Sequence, residues 1–332
     1  MSGKSYLPTT PPAPVVEADP RATLTDAERE MYAAVLEHFS VPTYTLPGVE
    51  NGELLEEEKF WLSCECLLRY LRAVKWKSSN AAIERLEATL KWRREYGLYD
   101  LVTASHVEPE AVTGKEILFG FDMKNRPGFY MFPSRQNTDE PTRQIQFAVW
   151  MLERCIDLMG PGVETIDLLI NYGDKSKGGP AFSVARTVLS ILQDHYPERL
   201  GLALIINVPF LLNAFYKLIN PFIDPVSREK MRFNPQVVKD SIFTPEMVMA
   251  DAWGGSSEFE YVHDKYWPAL VELCESRKET WMKKWKEEGG KVGIKEWKYK
   301  CGGELTSKST EVDEKVVVED VVTVETSEAV TN

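Results

Sequence analysis

Cysteine and histidine are scarce in this sequence of 332 residues, which contains five cysteines and four histidines. The cysteines are odd in number and scattered, which excludes a disulfide framework and predicts a reducing compartment. Cys64 and Cys66 are two residues apart in a helical pattern, so they point to different faces and we expect buried thiols rather than a zinc site. No histidine lies at metal-ligand spacing from another ligand, and the sequence therefore predicts no metal site.

Basic residues are outnumbered, with 39 Lys and Arg against 51 Asp and Glu and a net charge of -12. This balance argues against nucleic acid as a partner, because nucleic-acid-binding domains carry a basic footprint. It also argues against a polybasic membrane anchor. Residues 303–332 hold eight acidic and two basic residues, so half of the net charge belongs to a short tail and the remaining body is only mildly acidic.

The sequence lacks an uninterrupted apolar segment long enough to cross a membrane. Residues 202–222 come near that length, but Asn207, Pro209, Asn213 and Lys217 interrupt them. The stretch divides into a predicted buried strand and a predicted helix that is apolar around most of its circumference. Such a helix is either fully buried or presented to a second apolar phase. The N-terminus is polar and rich in proline, and no secretory signal is expected there.

Motifs of the common enzyme classes are also missing. No G-x-G-x-x-G follows a predicted strand, the glycine-rich stretch 173–179 lacks the Lys-Ser/Thr of a phosphate-binding loop, and no G-x-S-x-G occurs. His195, at a predicted helix end, is better explained by capping or packing than by a role as general base. We therefore predict that the protein is not an enzyme, with an enzyme of unfamiliar site as the remote alternative.

Periodicity and composition divide the chain into four parts. Residues 1–22 are rich in proline and predicted to be disordered, and residues 23–112 are predicted to form an N-terminal helical lobe. Residues 113–290 alternate strands and helices, which predicts an α/β domain with a mostly parallel sheet. Residues 291–332 are predicted to be a disordered acidic tail.

Within these parts the local signals define individual elements. Thr25 and Glu28 predict a capping box that begins a helix, and Gly97 is expected to end another. The predicted helices cover 25–39, 54–73, 80–96, 141–159, 182–195, 210–219 and 264–288. The predicted strands cover 117–121, 128–132, 167–172 and 203–208.

Three motifs follow one another between residues 196 and 230: YPERLG at 196–201, IINVPF at 205–210 and PFIDPVSREK at 221–230. Together with LLRYLRA at 67–73 and YWPAL at 266–270, they resemble the CRAL-TRIO lipid-binding family. The similarity is closest to its fungal phosphatidylinositol transfer branch, in particular the pleiotropic-drug-resistance subgroup.

The resemblance implies a helical lobe beside an α/β lobe whose sheet lines a phospholipid-sized pocket. It implies a soluble phosphatidylinositol transfer protein that visits intracellular membranes or lipid droplets from the cytoplasm, presents lipid to lipid kinases, and needs no cofactor beyond the bound phospholipid. It also implies a gate helix that opens at the membrane surface. The gate residues are Leu211, Leu212, Phe215, Tyr216, Leu218, Ile219 and Phe222.

The same resemblance implies a headgroup site made by Glu198, Ser227 and Lys230. Ser227 and Lys230 are three residues apart, so on a helical turn they can bring a hydroxyl and an ammonium to one phosphate. The alternative is a surface Glu–Lys pair beside a capping serine. The family's basic R-A-R-K element is Arg-Ala-Val-Lys at 72–75. Val74 thus replaces an arginine that binds the phosphate in the family, and Lys75 is expected to bind this part of the headgroup alone.

Ligand selectivity is predicted from the strand at 166–170, where the positions expected to face the pocket are apolar. Family members that also exchange phosphatidylcholine have small hydroxyl residues there. We therefore predict phosphatidylinositol without phosphatidylcholine, with a sterol or another hydrophobic lipid as a second ligand. The alternative function is a carrier of such a lipophile without phosphatidylinositol transfer.

Overall fold

The computed structural model of the chain describes residues 4–13, 19–173, 182–208 and 225–301. The α-helices within these residues are α1 (Asp26–Ser40), α2 (Glu56–Trp61), α3 (Cys64–Ala73), α4 (Ser79–Glu95), α5 (Ala104–Ala111), α6 (Pro141–Leu158), α7 (Phe182–His195), α8 (Pro225–Glu229), α9 (His263–Glu287) and α10 (Glu296–Lys300). The strands are β1 (Glu116–Phe121), β2 (Pro127–Met131), β3 (Ile166–Asn171), β4 (Leu200–Ile206) and β5 (Met231–Phe233).

Local caps determine where the amino-terminal helices begin and end. Thr25 and Glu28 form the predicted capping box of α1, in which the Glu28 amide donates to Thr25 Oγ1 at 3.3 Å and the Thr25 amide donates to Glu28 Oε2 at 2.8 Å. Ser78 caps α4 by accepting from the amide of Ala81 at 3.1 Å. Gly97, with a φ of 79°, ends that helix in the left-handed conformation, as predicted.

The predicted helix over 54–73 is two helices in the structure, because Ser63 begins a new one. Its hydroxyl accepts from the amide of Cys66 at 3.0 Å and also donates to the carboxylate of Glu296 at 3.0 Å. The helix that follows, α3, buries residues 64–71 without interruption. It packs against α1 and α4 and forms the centre of the helical lobe.

The sheet has the strand order β1-β2-β3-β4-β5. β1 and β2 are antiparallel, and every later pair is parallel. The turn between β1 and β2 is stabilised by Asp122, whose Oδ1 accepts from the amides of Lys124 and Arg126, each at 2.8 Å. α6 connects β2 to β3 and α7 lies between β3 and β4 along the chain, which is the right alternation for parallel neighbours. The predicted fold class, a helical lobe with a mostly parallel α/β lobe, is confirmed.

The two faces of this sheet differ in burial. Tyr130, Leu169 and Leu204 are neighbours across β2, β3 and β4, and all three are completely buried. Successive side chains of a strand point to opposite faces. The adjacent residues Met131 and Ile170 therefore lie on the other face, where both are only half-buried. The second face is thus apolar and partly open along β3 and the end of β2, whereas its residues on β4 are buried.

The structure differs from the sequence prediction near both ends of the chain. Residues 4–13, within the stretch predicted to be disordered, lie beside the loop before α9, where the amide of Ser5 donates to the Glu258 carbonyl at 2.9 Å. Residues 291–301, assigned above to the tail, contain α10, and Tyr299 is 2% exposed. These stretches are ordered by contacts with residues that are far away in the sequence, and such contacts cannot be predicted from local composition.

In the part of the chain that the structure describes, no helix combines the length and the apolar character that crossing a bilayer requires.

Candidate functional site

The predicted headgroup residues lie around the amino ends of β3 and β4. Glu164, two residues before β3, joins the helical lobe to this edge of the sheet. Its Oε2 accepts from Arg72 Nη2 at 2.8 Å and from Arg69 Nη1 at 3.3 Å, and its carbonyl accepts from Arg199 Nη1 at 2.9 Å. The end of α3 is therefore bound to the starts of both strands.

Lys230 is placed at the same edge by the start of β5. Its ammonium donates to the carbonyl of Leu200 at 2.7 Å, and its own carbonyl accepts from the amide of Ala203 at 3.1 Å. The amide of Lys230 donates to the carbonyl of Ser227 at 3.2 Å, so the two residues are one backbone turn apart at the end of α8. The ammonium lies beside the first residue of β4, two positions after Glu198.

Glu198 is exposed and stands in the turn between α7 and β4. In the described residues no ion pair joins its carboxylate to Lys230, whose ammonium is bound to a backbone carbonyl instead. Its φ of 59° is left-handed, a conformation that costs a residue with a side chain roughly 1–2 kcal/mol. Strain of this kind persists where the surroundings impose it and is common at binding sites.

Lys75 follows α3 and is also exposed, with a φ of 55°. Its amide donates to the carbonyl of Arg72 at 2.8 Å, so the turn that displays Lys75 begins at the residue bound to Glu164. Lys75 therefore stands on a loop attached to the same corner, although the described contacts do not join its side chain to Lys230. We name the set Arg72, Lys75, Glu198, Ser227 and Lys230 the basic corner.

The buried side of the basic corner is formed by two arginines. Arg69 and Arg199 are 2% and 8% exposed. Burial, and then the nearby charge of Arg69, lowers the pKa of Arg199 to about 10, which leaves it charged at neutral pH. The corner adds the exposed Lys75 and the half-buried Arg72 and Lys230, of which Arg72 is already paired with the carboxylate of Glu164. Basic groups therefore outnumber acidic ones at this corner of an acidic protein, which suits a phosphate group.

His195 takes the packing role that the sequence analysis preferred. Its ring stacks on Trp92 with a centroid distance of 4.2 Å and an interplanar angle of 7°. Nδ1 lies 3.3 Å from Thr89 Oγ1, and the backbone carbonyl accepts from the Tyr70 hydroxyl at 3.0 Å. Burial lowers the pKa of His195 to about 4, so the ring is neutral at pH 7. The contacts attach the end of α7 to α3 and α4.

The partly open face of the sheet runs away from the basic corner. Leu168 and Ile170 of β3 lie on this face and are half-buried, and Ala203 and Ile205 of β4 lie beside them and are buried. The described strand residues on this face include neither serine nor threonine, which agrees with the apolar lining expected from the sequence. β4 contains seven residues and is about 20 Å long, so the apolar face has that length.

Three asparagines connect the carboxyl ends of the parallel strands, and sequence reasoning did not single them out. Asn207 Nδ2 donates to Asn171 Oδ1 at 2.9 Å, and the Asn207 amide donates to Asn234 Oδ1 at 3.3 Å. A cavity of about 570 Å³ opens beside them, with Trp253 in its wall. Ligands of open parallel sheets bind at this edge. The signal in the sequence is an asparagine directly after each apolar run, at Asn171 and Asn207, and Asn207 has a left-handed φ of 55°, a conformation that asparagine tolerates.

The predicted gate residues lie outside the described residues. All seven fall within 209–224, between β4 and α8. The structure does describe both flanks, since β4 ends beside the asparagines and α8 leads into Lys230. Among the described residues there is also no group of acidic, histidine or cysteine side chains that could hold a metal ion.

Known proteins share this architecture. Residues 111–255 match the CRAL/TRIO domain and residues 31–88 match the CRAL/TRIO N-terminal domain. The phosphatidylinositol transfer protein PDR17 of Saccharomyces cerevisiae is 37% identical over 309 residues, which cover 86% of this chain and 87% of that protein. A CRAL-TRIO domain-containing protein of Schizosaccharomyces pombe is 45% identical over 85% of this chain, but the match spans only 28% of the longer relative.

Among solved structures, the crystal structure of Sfh5 superimposes with a TM-score of 0.54 over 73% of this chain and 91% of that one. The two sequences are 16% identical, so this likeness concerns the fold alone.

Proposed function

Since the chain belongs to the CRAL/TRIO family, we propose that it is a phosphatidylinositol transfer protein that exchanges this lipid between membranes. The observation that carries the proposal is the basic corner at one end of a partly open apolar sheet face. A phospholipid has the same two-part chemistry, with a charged phosphate at one end and acyl chains at the other. The name of the relative PDR17 supports the same ligand.

Four of the five residues of the basic corner would contact the headgroup, and Arg72 positions the turn that carries Lys75. Lys230 and Ser227 donate charge-assisted hydrogen bonds to the ionised phosphate, from an ammonium and from a hydroxyl. Glu198 accepts hydrogen bonds from the inositol hydroxyls or orients Lys230, and Lys75 adds positive charge from the helical lobe. Several donors that converge on one charged group give selectivity, whereas apolar contacts to the chains give little.

The apolar face would cover the acyl chains of the bound lipid. Its length of about 20 Å exceeds the thickness of one leaflet of the bilayer core, which is about 15 Å. Two chains with roughly 30 methylenes represent about 25 kcal/mol of transfer free energy, at about 0.8 kcal/mol for each methylene. Desorption into water is therefore slow. A protein face that replaces the contacts of the bilayer makes extraction nearly isoenergetic, and no covalent bond has to break.

The apolar segment 211–222 serves as the gate in this proposal. It connects the carboxyl end of β4 to α8, which leads into Lys230, so it joins the far end of the apolar face to the basic corner along the chain. Insertion of this segment into the membrane interface would let the lipid pass without crossing water. The protein would then visit membranes transiently from the cytoplasm and could present its lipid to kinases.

A second candidate function is transport of a sterol or a similar lipophile. It is favoured by the apolar lining of β3 and by Val74, which stands where the family's basic element has an arginine. Both features weaken recognition of a polar headgroup without affecting burial of an apolar ligand. Mass spectrometry of the lipid that co-purifies with the protein distinguishes the two, because only a phosphatidylinositol carrier will retain an inositol phospholipid.

Transfer of labelled phosphatidylinositol between vesicles tests the site directly. We expect the double variant Glu198→Ala and Lys230→Ala to lose most of the transfer rate, since each charge-assisted hydrogen bond contributes about 1.5–3 kcal/mol. The matched control is Glu84→Ala with Lys283→Ala, which removes the same two charges from exposed positions. Circular dichroism and thermal melting check that both variants fold. If the folded site variant transferred phosphatidylinositol at the rate of the unmodified chain, the basic corner would not be needed for transfer.

A further inference from the structure

A second groove lies between α5 and α9, away from the basic corner. Its volume is about 730 Å³, comparable with that of a ligand site. Its floor is apolar and includes Ala104, the nearly buried ring of Trp267, and the half-buried Val271. The exposed Pro268 continues this surface along α9.

The walls of this groove carry charge of one sign. Five carboxylates line it, and the lining residues include no lysine or arginine. The acidic residues are Glu108, Asp264, Glu272, Glu275 and Glu279. Of these five carboxylates, only Glu108 forms an ion pair within the described residues, with His263 Nε2 at 3.2 Å. The four carboxylates of α9 therefore have no cationic partner within the described protein. We name this feature the acidic groove.

The acidic residues follow one side of α9 for four turns. Asp264 and Glu279 are fifteen positions apart, which corresponds to about 22 Å along the helix. Glu272, Glu275 and Glu279 are spaced by three and four residues, so like charges are neighbours on the helix surface. Each such pair destabilises a helix by roughly 0.2–0.5 kcal/mol. Lys278 and Lys283 follow Glu275 and Glu279 by three and four positions and offset this cost, but neither lysine lines the groove.

We propose that the acidic groove binds an amphipathic basic helix of a partner protein. Apolar side chains on one face of that helix would cover Trp267 and Val271, and flanking lysines or arginines would pair with the carboxylates of α9. A helix of about four turns matches the length of the acidic side, and its two kinds of residue match the floor and the walls. The chain's own residues 303–332 are acidic and would be repelled, as would an anionic membrane.

The location of the groove leaves the proposed lipid site accessible. The Tyr266 hydroxyl accepts from the amide of Leu118 at 2.7 Å and donates to its carbonyl at 2.8 Å, which fixes α9 to β1. The basic corner lies at β4 and β5, which are roughly 14 and 19 Å from β1 across the sheet. A partner in the acidic groove could therefore recruit the loaded protein without displacing its lipid.

Binding of a designed peptide to the full chain tests the proposal. The probe is a fluorescein-labelled helical peptide of 15 residues with leucines on one face and lysines and arginines beside them, and fluorescence anisotropy measures its affinity. A scrambled peptide of the same composition lacks the apolar face. We expect saturable binding of the amphipathic peptide only, and about tenfold weaker binding in the variant Glu272→Gln, Glu275→Gln and Glu279→Gln.

The matched control variant is Glu30→Gln, Glu37→Gln and Glu84→Gln, which removes three charges from exposed positions of α1 and α4. It should bind the peptide like the unmodified chain, and phosphatidylinositol transfer should be unchanged in both variants. Equal weakening by the two variants, equal binding of the scrambled peptide, or no saturable binding would overturn the proposal. A dimer in sedimentation that only the groove variant abolishes would overturn it too, by assigning the groove to a second copy of the chain.

Discussion

The buried pair of Arg93 and Glu153 offers a test of how the helical lobe is attached to the sheet. Arg93 on α4 donates to both carboxylate oxygens of Glu153 on α6, at 2.8 and 3.2 Å. The Tyr196 hydroxyl adds a third hydrogen bond to Glu153 at 2.6 Å. The side chains of Arg93 and Glu153 are 7% and 18% exposed. The pair therefore fixes the two helices and the residue two positions before Glu198.

The pKa of Glu153 gives the size of this contribution. Burial alone would raise it, but the charge and hydrogen bonds of Arg93 more than compensate, and the pKa falls from 4.5 to about 2. A carboxylate with a lowered pKa in the folded state stabilises the protein above its unfolded pKa, and the effect is lost as the pH falls through the folded value. The difference corresponds to about 3 kcal/mol at neutral pH.

Urea unfolding of Glu153→Gln should therefore show a loss of about 3 kcal/mol at pH 7, because the guanidinium of Arg93 stays buried without its counter-charge. The difference in free energy of unfolding between the variant and the unmodified protein should decrease as the pH falls from 4.5 toward 2, because Glu153 itself becomes neutral in that range. Adding Arg93→Gln should recover part of the loss. A cost below about 1 kcal/mol, or a gap that does not depend on pH, would refute the reasoning.

Two further predictions concern the buried interior. Burial and the charge of Glu296 raise the pKa of Glu65 from 4.5 to about 7, so ionisation of Glu65 destabilises the folded protein as the pH rises from 4.5 to 7. Glu65→Gln should therefore increase the urea midpoint at pH 8 and make that midpoint depend less on pH. Gly120 has a φ of 68°, and a side-chain Cβ there would lie 1.8 Å from the Met247 carbonyl oxygen. Gly120→Ala should therefore lower the free energy of unfolding by more than about 3 kcal/mol, whereas the control Gly160→Ala, which has open space around it, should leave the melting temperature nearly unchanged.

Most of the regular structure was predictable because its signals are local. The helix predicted over 182–195 has those bounds in the structure, and the last long helix was displaced by one residue at each end. The strands before and after α6 were predicted to within one residue, since apolar runs between polar turns mark them. The break before α3 was missed, because Ser63 resembles any other polar residue until its contact with Glu296 is known.

The short elements could not be predicted, because long-range contacts create them. β5 has three residues and is defined by its register with β4. α10 has five residues, and the Glu296 amide at its start donates to Glu65 Oε2 at 2.9 Å, across more than two hundred positions of sequence. Neither length supports a periodicity argument. Glu164 could not be predicted as a site residue for the same reason. It is a single acidic residue in a loop, and its role depends on contacts with three arginines from two other segments.

The contacts of the basic corner bear on what controls exchange under the proposed function. The Lys230 ammonium is held by the carbonyl of Leu200, and Arg72 is held by Glu164. Donors fixed in this way lose little conformational entropy when a ligand binds. If the pocket and the bilayer offer the chains equivalent apolar contact, the chains contribute little to the balance between carried and membrane-bound lipid. That balance then depends on the headgroup, where one charge-assisted hydrogen bond of about 1.5–3 kcal/mol changes the partition by tenfold or more. A single substitution such as Val74 in the basic element is therefore large enough to decide which lipid the protein carries.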